Sequence, residues 1–486
     1  MAKKDYSVNV GYPFRTKNLV QPLINGEKAW EKVYEAIIAA KKSIHLCFWG
    51  LEGDLELIRK KEEEKSNPDI RKKYTLYNLL YEKSKSGVKV RILIWDSILN
   101  AQQQLVDALI SVSGSKRTFE VIYQPHPDSL WNYVSIWSWH QKNIIIDDEI
   151  AFVGGMNAKG LDWDTSDHHP INLRRSDYNL TGEQRKNIEE TKNYKSLNKP
   201  RHDYMVYLKG EVAFDVQSNF AERWNFCLDK KYLYSKKATK VVLSTKNTSN
   251  TEIKAQIVRT FPATDKNQSV EEGIKNTYIN AIRLAEKYIY IEDQYFRSEI
   301  IAKTITEAIE NNKNLKILIA TPPDYLFETD NYYFQSLSNF WTSKSFEIIK
   351  KVLPNFVFFF FQTTFVDKSG KRIFVPVNLH AKLMIVDDEW YTIGSANLND
   401  RSLTQDGELN ISVQDGSAKE LRKKIFSIHL NQDCPDDFNL AYKLWVQLAS
   451  DNNILWKNNS IKTPKGSIYA YNQKGITPIR TPSTWI

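Results

Sequence analysis

Cysteine is scarce in this sequence. Only Cys47, Cys227 and Cys434 occur in 486 residues, far apart and without metal-ligand spacing. That excludes a disulfide framework and argues against a zinc site. Long apolar runs are also missing. The greasiest patch is FVFFFF at 356–361, far short of the roughly 18 residues of a membrane helix. It is predicted to be a buried strand. The first residues, MAKKDYSVNVGYPF, have a basic end but no apolar core behind it, so they do not read as a secretory signal. No lipid-anchor motif stands at either end. The expectation is a chain made soluble in the cytoplasm, with no transmembrane segment, that meets membranes only peripherally.

What is present is a globular composition, 42% hydrophobic and 12% aromatic, which excludes disorder. The length suits two domains or one large duplicated one. Lys and Arg number 67 against 58 Asp and Glu, a net charge of +9. Such a balance fits a solvated basic surface, a nucleic acid, a phospholipid head group or a membrane surface. Charge alone does not choose among them.

The chain contains itself twice. HQKNIIID at 140–147 recurs as HAKLMIVD at 380–387, both H-x-K-x-x-x-x-D. Each copy continues with a second Asp, a Glu, an apolar strand, a turn of small residues and an asparagine: DDEIAFVGGMN and DDEWYTIGSAN. The segments upstream match as well. Residues 28–49 and 274–296 each read as an amphipathic helix running into an apolar strand, and 87–96 resembles 314–324. Alternation of this kind predicts an α/β fold of two pseudo-symmetric halves, each a mixed sheet flanked by helices. The expected division is an extension over 1–24, a first half over 25–240 and a second over 241–486. The boundary lies in the polar stretch 236–253. A second polar stretch, about 164–201, interrupts the first half. It reads as a long surface loop with a helical turn near 182–193, either functional or a mere excursion.

Side chains alternate along a strand. His140 therefore shares a face with Lys142, and His380 with Lys382. Asp147 and Asp387 complete each motif at an odd offset, better placed to hold local structure than to touch substrate. If the halves share one site, two histidines, two lysines, Asn157 and Asn397 surround one point. That many cations and donors call for an anion, and phosphate is the natural one. One histidine can attack phosphorus while the other protonates the leaving oxygen. Lysines and asparagines would hold the remaining oxygens. No carboxylate cluster suited to a metal stands out, so no metal and no cofactor is expected.

These residues resemble the phospholipase D superfamily, whose signature is a pair of H-x-K-x4-D motifs. The likeness spans roughly 25–450. HQKNIIID with FVGG, then 198–225 (NKPRHDYMVYLKGEVAFDVQSNFAERWN), QIVRTFP at 256–262, YIYIEDQYF at 288–296 and GSANLNDRSL followed by Glu408 are most similar to its eukaryote-like phospholipases D. The resemblance implies a duplicated α/β sandwich with one shared active site. His140 becomes the nucleophile and His380 the general acid. Ser395 joins Asn157 and Asn397 on the substrate phosphate. Glu408 orients one histidine and Asp164 of WDT the other, with Asp162 and Asp167 as alternatives. His202 and Asp203 match a supporting element behind the first half-site.

The implied reaction is hydrolysis of a phospholipid to phosphatidic acid, with transfer to alcohols. The alternatives are a nuclease or a cardiolipin synthase-like transferase. No nucleic acid is expected as partner, because single-motif nucleases dimerise and this chain carries both motifs; it is expected to act as a monomer. About 25 residues precede the core, so no phox, pleckstrin or C2-like region is expected. That resembles bacterial members, among them exported lipase effectors, for which an immunity or chaperone protein would be the partner. Trp131, Tyr133, Trp137, Trp139 and the stretch 330–341 divide between core and lipid-facing readings. His45, His126 and His429 read as structural, and His168 and His169 as pocket candidates.

Overall fold

In the computed structural model, residues 4–96, 119–127, 137–231, 238–243, 248–264, 268–323 and 332–473 are described. Trp131, Tyr133, residues 330–331 and part of the 236–253 boundary lie outside them.

Each half starts from the same unit. Helix Asn25–Ala39 buries Ala29, Trp30, Val33, Ala36 and Ile37, a stripe at helical spacing. It feeds strand Ser43–Phe48, buried at every residue, as a strand covered on both faces must be. Helix Gly273–Arg283 and strand Tyr288–Asp293 repeat the arrangement.

The sheets then match strand for strand. The first runs Asn18–Ile24, Tyr204–Gly210, Ile150–Gly154, Asn143–Ile146, Ser43–Phe48, Lys89–Trp95, Phe119–Gln124. The second contains Ala255–Phe261, Glu408–Gln414, Trp390–Gly394, Lys382–Val386, Tyr288–Asp293, Lys316–Ala320 and Phe358–Val366 in the same order, with short strands added at its edges. Both are mixed: the motif strand is antiparallel to its neighbours, while the strands beyond are parallel. One core spans both halves, joining Val153, Tyr204 and Val206 to Ile393, Leu409 and Ile411. Two further cores, built around Trp30 and Ile291, pack the outer helices. Each such side chain contributes roughly 1.5–3 kcal/mol on burial. The result is the expected α/β sandwich.

Two features differ from expectation. The segment 1–24 is no free extension. Asn18–Ile24 is a full strand against Tyr204–Gly210. Residues ahead of it cross to the second half, where Tyr6 stacks on Trp390 at 5.8 Å and Lys4 pairs with Asp387 at 2.8 Å. The insertion 164–201 is also more than a surface loop. Helix Gly182–Thr191 opens on a capping box of Thr181 and Gln184. Leu173, Ile188 and Leu197 form a small core beneath it, and Asp164, His168 and Arg175 are buried.

Candidate active site

The closing aspartates explain the motif's shape. Asp147 and Asp148 have φ of 54° and 61°, Asp387 and Asp388 of 58° and 62°. Two consecutive positive φ values belong to mirror-image hairpin turns, which Asp tolerates. The Asp147 carboxylate accepts from the backbone N–H of Lys41, Lys42 and Ser43 at 2.6–2.8 Å. Asp387 does the same for Glu286, Lys287 and Tyr288 at 2.7–2.8 Å. Each aspartate ties the motif hairpin to the helix–strand junction and lies at the far end from the histidine.

At the other end the regular strand stops short of each histidine. His140 N–H instead donates to Gly407 O at 2.8 Å, and His380 N–H to His202 O at 2.9 Å. Each motif thus enters the site along a segment of the opposite half. That segment supplies the acid. Glu408 Oε1 lies 2.9 Å from His140 Nδ1, and Asp203 Oδ2 lies 2.7 Å from His380 Nδ1. The equivalence of the two acids follows from register. Gly154 pairs with Met205 and Gly394 with Asn410, so Asp203 and Glu408 hold the same place in the two sheets.

Both lysines are buried. Lys142 Nζ donates to His140 O and Lys382 Nζ to His380 O, each at 2.5 Å. Lys382 also donates to Gln294 Oε1 at 3.1 Å. Asn157 and Asn397 are buried at equivalent turns, and the amide oxygen of each has no hydrogen bond. Burial, then Lys142, holds the His140 imidazole neutral, far below its usual pKa. Burial, Arg201 and the lysines do the same for His380, to which His140 itself contributes. Burial lowers Lys142 to about 7 and raises Asp203 and Glu408 to about 7, with the lysines opposing the rise of both acids. Burial thus disfavours charge of either sign on these side chains.

A family model described as phospholipase D matches residues 36–318, and one described as cardiolipin synthase, PLD-like domain, matches 278–429. The chain belongs to the phospholipase D superfamily. It is 28% identical over 450 residues to phospholipase D A of Dictyostelium discoideum, covering 83% of this chain and 33% of that protein. It is 25% identical to phospholipase D alpha 1 of Carica papaya, covering 79% and 60%. The chain thus spans a third to three-fifths of these relatives' length. Its fold resembles the crystal structure of phosphatidylserine synthase from Haemophilus influenzae, with a TM-score of 0.53 at 15% identity over 85% of this chain and 86% of that one.

Three residue assignments differ from the superfamily pattern as carried over from sequence. Asp164 touches neither motif histidine; its carboxylate holds His168 Nδ1 at 2.9 Å, Arg201 N–H at 2.8 Å and Arg175 at 3.2 Å. Asp203 takes the orienting place, serving His380 rather than a supporting role behind the first half-site. Its signal was its position just ahead of the strand Tyr204–Gly210 that follows the motif hairpin, equivalent to that of Glu408. Ser395 is not turned toward a phosphate. Its hydroxyl donates to Glu408 Oε2 at 2.5 Å and accepts from Leu409 N–H at 3.0 Å.

The other histidines are accounted for. His45 bonds Gln217 and Arg91. His126 contacts Gln405 O at 3.0 Å. His169 is exposed and His168 buried behind His202, their rings 5.4 Å apart. His202 and His429 both face Glu292 at 3.0 Å, and Tyr204 and Tyr290 donate to the same carboxylate. Burial works against that charge, but the two histidines outweigh it and hold Glu292 ionised. Ligand atoms of His202, Glu292 and His429 lie within 4.8 Å of one another, as do those of Asp162, Asp203 and His380. An ion at the first place would displace two tyrosine hydroxyls. At the second it would break the Asp203–His380 bond. Hydrogen bonding accounts for the first group; in the second, Asp203 holds His380 and Asp162 pairs with Arg201 at 2.7 Å.

Proposed function

We propose that this chain is a phospholipase D-type phosphodiesterase. It would cleave the distal phosphodiester of glycerophospholipids, giving phosphatidic acid and a free head group. The observation that carries this is the crossing of the acids: each histidine is gripped by the opposite half, which turns both imidazoles toward one cationic point. Glu408 accepts a hydrogen bond from Nδ1–H of neutral His140, leaving the Nε2 lone pair to attack phosphorus. The bond from phosphorus to the head-group oxygen breaks as His380, protonated on binding of the anionic substrate, gives that oxygen its Nε2 proton. Water then attacks phosphorus from the side the head group left, losing its proton to His380, as the bond from phosphorus to His140 Nε2 breaks and its electron pair returns to the imidazole. Lys142 and Lys382 balance charge on the equatorial oxygens, and the amide groups of Asn157 and Asn397 donate hydrogen bonds to them. Asp147 and Asp387 hold the hairpins and touch no substrate. No metal or cofactor is called on.

A basic surface would draw the enzyme to anionic membranes, and two motifs in one chain let it work as a monomer. The match of 278–429 to a cardiolipin synthase domain favours a second reading, transfer of the phosphatidyl group to an alcohol. One experiment covers both. The purified protein is given choline-labelled phospholipid and plasmid DNA, with and without ethanol. Choline release with intact DNA is expected, and phosphatidylethanol should form at the expense of phosphatidic acid. A base quench, in which phosphohistidine survives, should leave lipid label on His140. Cut DNA with untouched lipid would overturn the assignment. Label on His380 would reverse the two roles.

A further inference from the structure

The two half-sites share a backbone but not a wall. Asp147 caps residues 41–43 and Asp387 caps 286–288. In this register Phe48 occupies the place of Asp293 and Trp49 the place of Gln294. In the second half Gln294 accepts from Lys382 and donates to Tyr295 Oη at 2.9 Å, and Arg297 stacks on Tyr295 at 4.0 Å. In the first half Trp49 meets the His140 ring edge-on at 6.1 Å and stacks on Trp95 at 5.7 Å. Both indoles are partly exposed. One wall is therefore aromatic and the other polar.

We infer that the phosphodiester enters in one direction, with its diacylglyceryl group against Trp49 and Trp95 and its head-group alcohol on the Gln294 side. This rests on the phospholipase reading above. A glycerophospholipid is itself asymmetric, apolar on one ester and polar on the other. Seating the glyceryl end on Gln294 and Tyr295 would strip water from polar groups without replacing their bonds. Seating it on two indoles buries apolar surface on both partners. A quaternary ammonium is the other natural guest of an indole face. Here, however, Lys159 Nζ already lies 5.6 Å from the centre of the Trp49 ring, and its charge repels a cationic head group. The chemistry agrees. The phosphatidyl group is the part that stays on His140 through the covalent intermediate, and the aromatic wall is beside His140.

The test uses monomeric dihexanoyl and dibutyroyl phosphatidylcholine, with choline release as readout. Trp49→Ala should lower the preference for the longer chains, as a ratio of kcat/KM, by about tenfold, the worth of roughly two buried methylenes. Trp49→Phe should restore most of it; a folding defect would lower both rates alike and leave the ratio unchanged. The ratio of choline to ethanolamine substrates should hold in Trp49→Ala. Equal loss on both chain lengths would overturn the inference, as would a shifted head-group ratio, which would put the ammonium on Trp49. Wild-type protein that releases no choline from either lipid would overturn the phospholipase reading itself.

Discussion

The His140 half-site and the His380 half-site are copies that have diverged in what surrounds them. Backbone, lysine and asparagine are the same, and each histidine is held by the other half's acid. The acids differ. The first histidine faces a glutamate with a serine bonded to it; the second faces an aspartate with a glycine behind it. The layers below differ too. Cys47, in the place of Glu292, lies 2.8 Å from Nη1 of buried Arg223, which also bonds Gln141 and Gln124. Glu292 instead gathers His202, His429 and two tyrosines. On the proposed mechanism, duplication supplies a frame that presents two imidazoles to one phosphorus. Divergence then gives each imidazole a separate task.

Exchanging the acids should separate those tasks most sharply. Asp203→Asn and Glu408→Gln should each lower kcat by about 10³–10⁴, the scale seen when an acid that fixes a catalytic histidine is neutralised. The two losses should respond differently to the leaving group. With a 4-nitrophenyl phosphodiester, which departs without a proton, Asp203→Asn should recover much of its rate, because His380 acts on the leaving oxygen. Glu408→Gln should not recover, because it impairs attack by His140. Equal recovery in both variants would erase the division of labour.

The lysines come next. Lys142→Ala and Lys382→Ala should each lower kcat by about 10²–10³, the worth of one donor to the transition-state oxygens. Lys142, lowered to about 7 by burial, is charged below that pH and neutral above it. Its attraction for phosphate is therefore lost as pH rises through about 7, and kcat/KM should fall there. Once an anion is bound the charge is retained, so kcat should fall later. Lys142→Arg keeps its charge at every working pH, and the limb near 7 should vanish even though the rate drops. A limb that stays in place would assign it to another group.

Much of this site was legible in the sequence, for a physical reason. The motif strand is fixed at both ends by chemistry that tolerates little change, a turn with two positive φ values and a buried His-Lys pair, so His140, Lys142, His380 and Lys382 announce themselves by spacing. Glu408 was readable because it follows its hairpin closely. Asp203 holds the same register, but the insertion with helix Gly182–Thr191 separates it from its hairpin, and Asp164 lay nearer in sequence. Crossing of the acids between halves is a property of packing that no linear pattern carries. Trp49 and Gln294 gave no signal as single residues; they became informative only when the sheets were laid over each other.

Restoring the lost symmetry should have the smallest effects, and unequal ones. A Cβ on Gly155 would lie 2.4 Å from Asp203 Oδ1, closer than any real contact. The aspartate fills the space that the Ser395 side chain occupies in the other half. Gly155→Ser must therefore push Asp203 off His380, and a displacement of about 1 Å can cost up to ~10² in rate. Recovery with the 4-nitrophenyl substrate should again mark it as a defect of the His380 side. The converse change is milder. Ser395→Gly removes one hydroxyl donated to Glu408 and leaves the Glu408–His140 contact in place. That hydroxyl favours the charged carboxylate, opposing the burial that brings Glu408 to about 7. Without it the pKa rises, fewer molecules carry the carboxylate at neutral pH, and the acid limb of kcat/KM moves upward. The loss at pH 7 should be about fivefold to tenfold, as expected for one hydrogen bond of about 1–1.5 kcal/mol, and should fade by pH 8.5. A loss that persisted at pH 8.5 would mean that Ser395 touches the substrate after all, as its place in the motif first suggested.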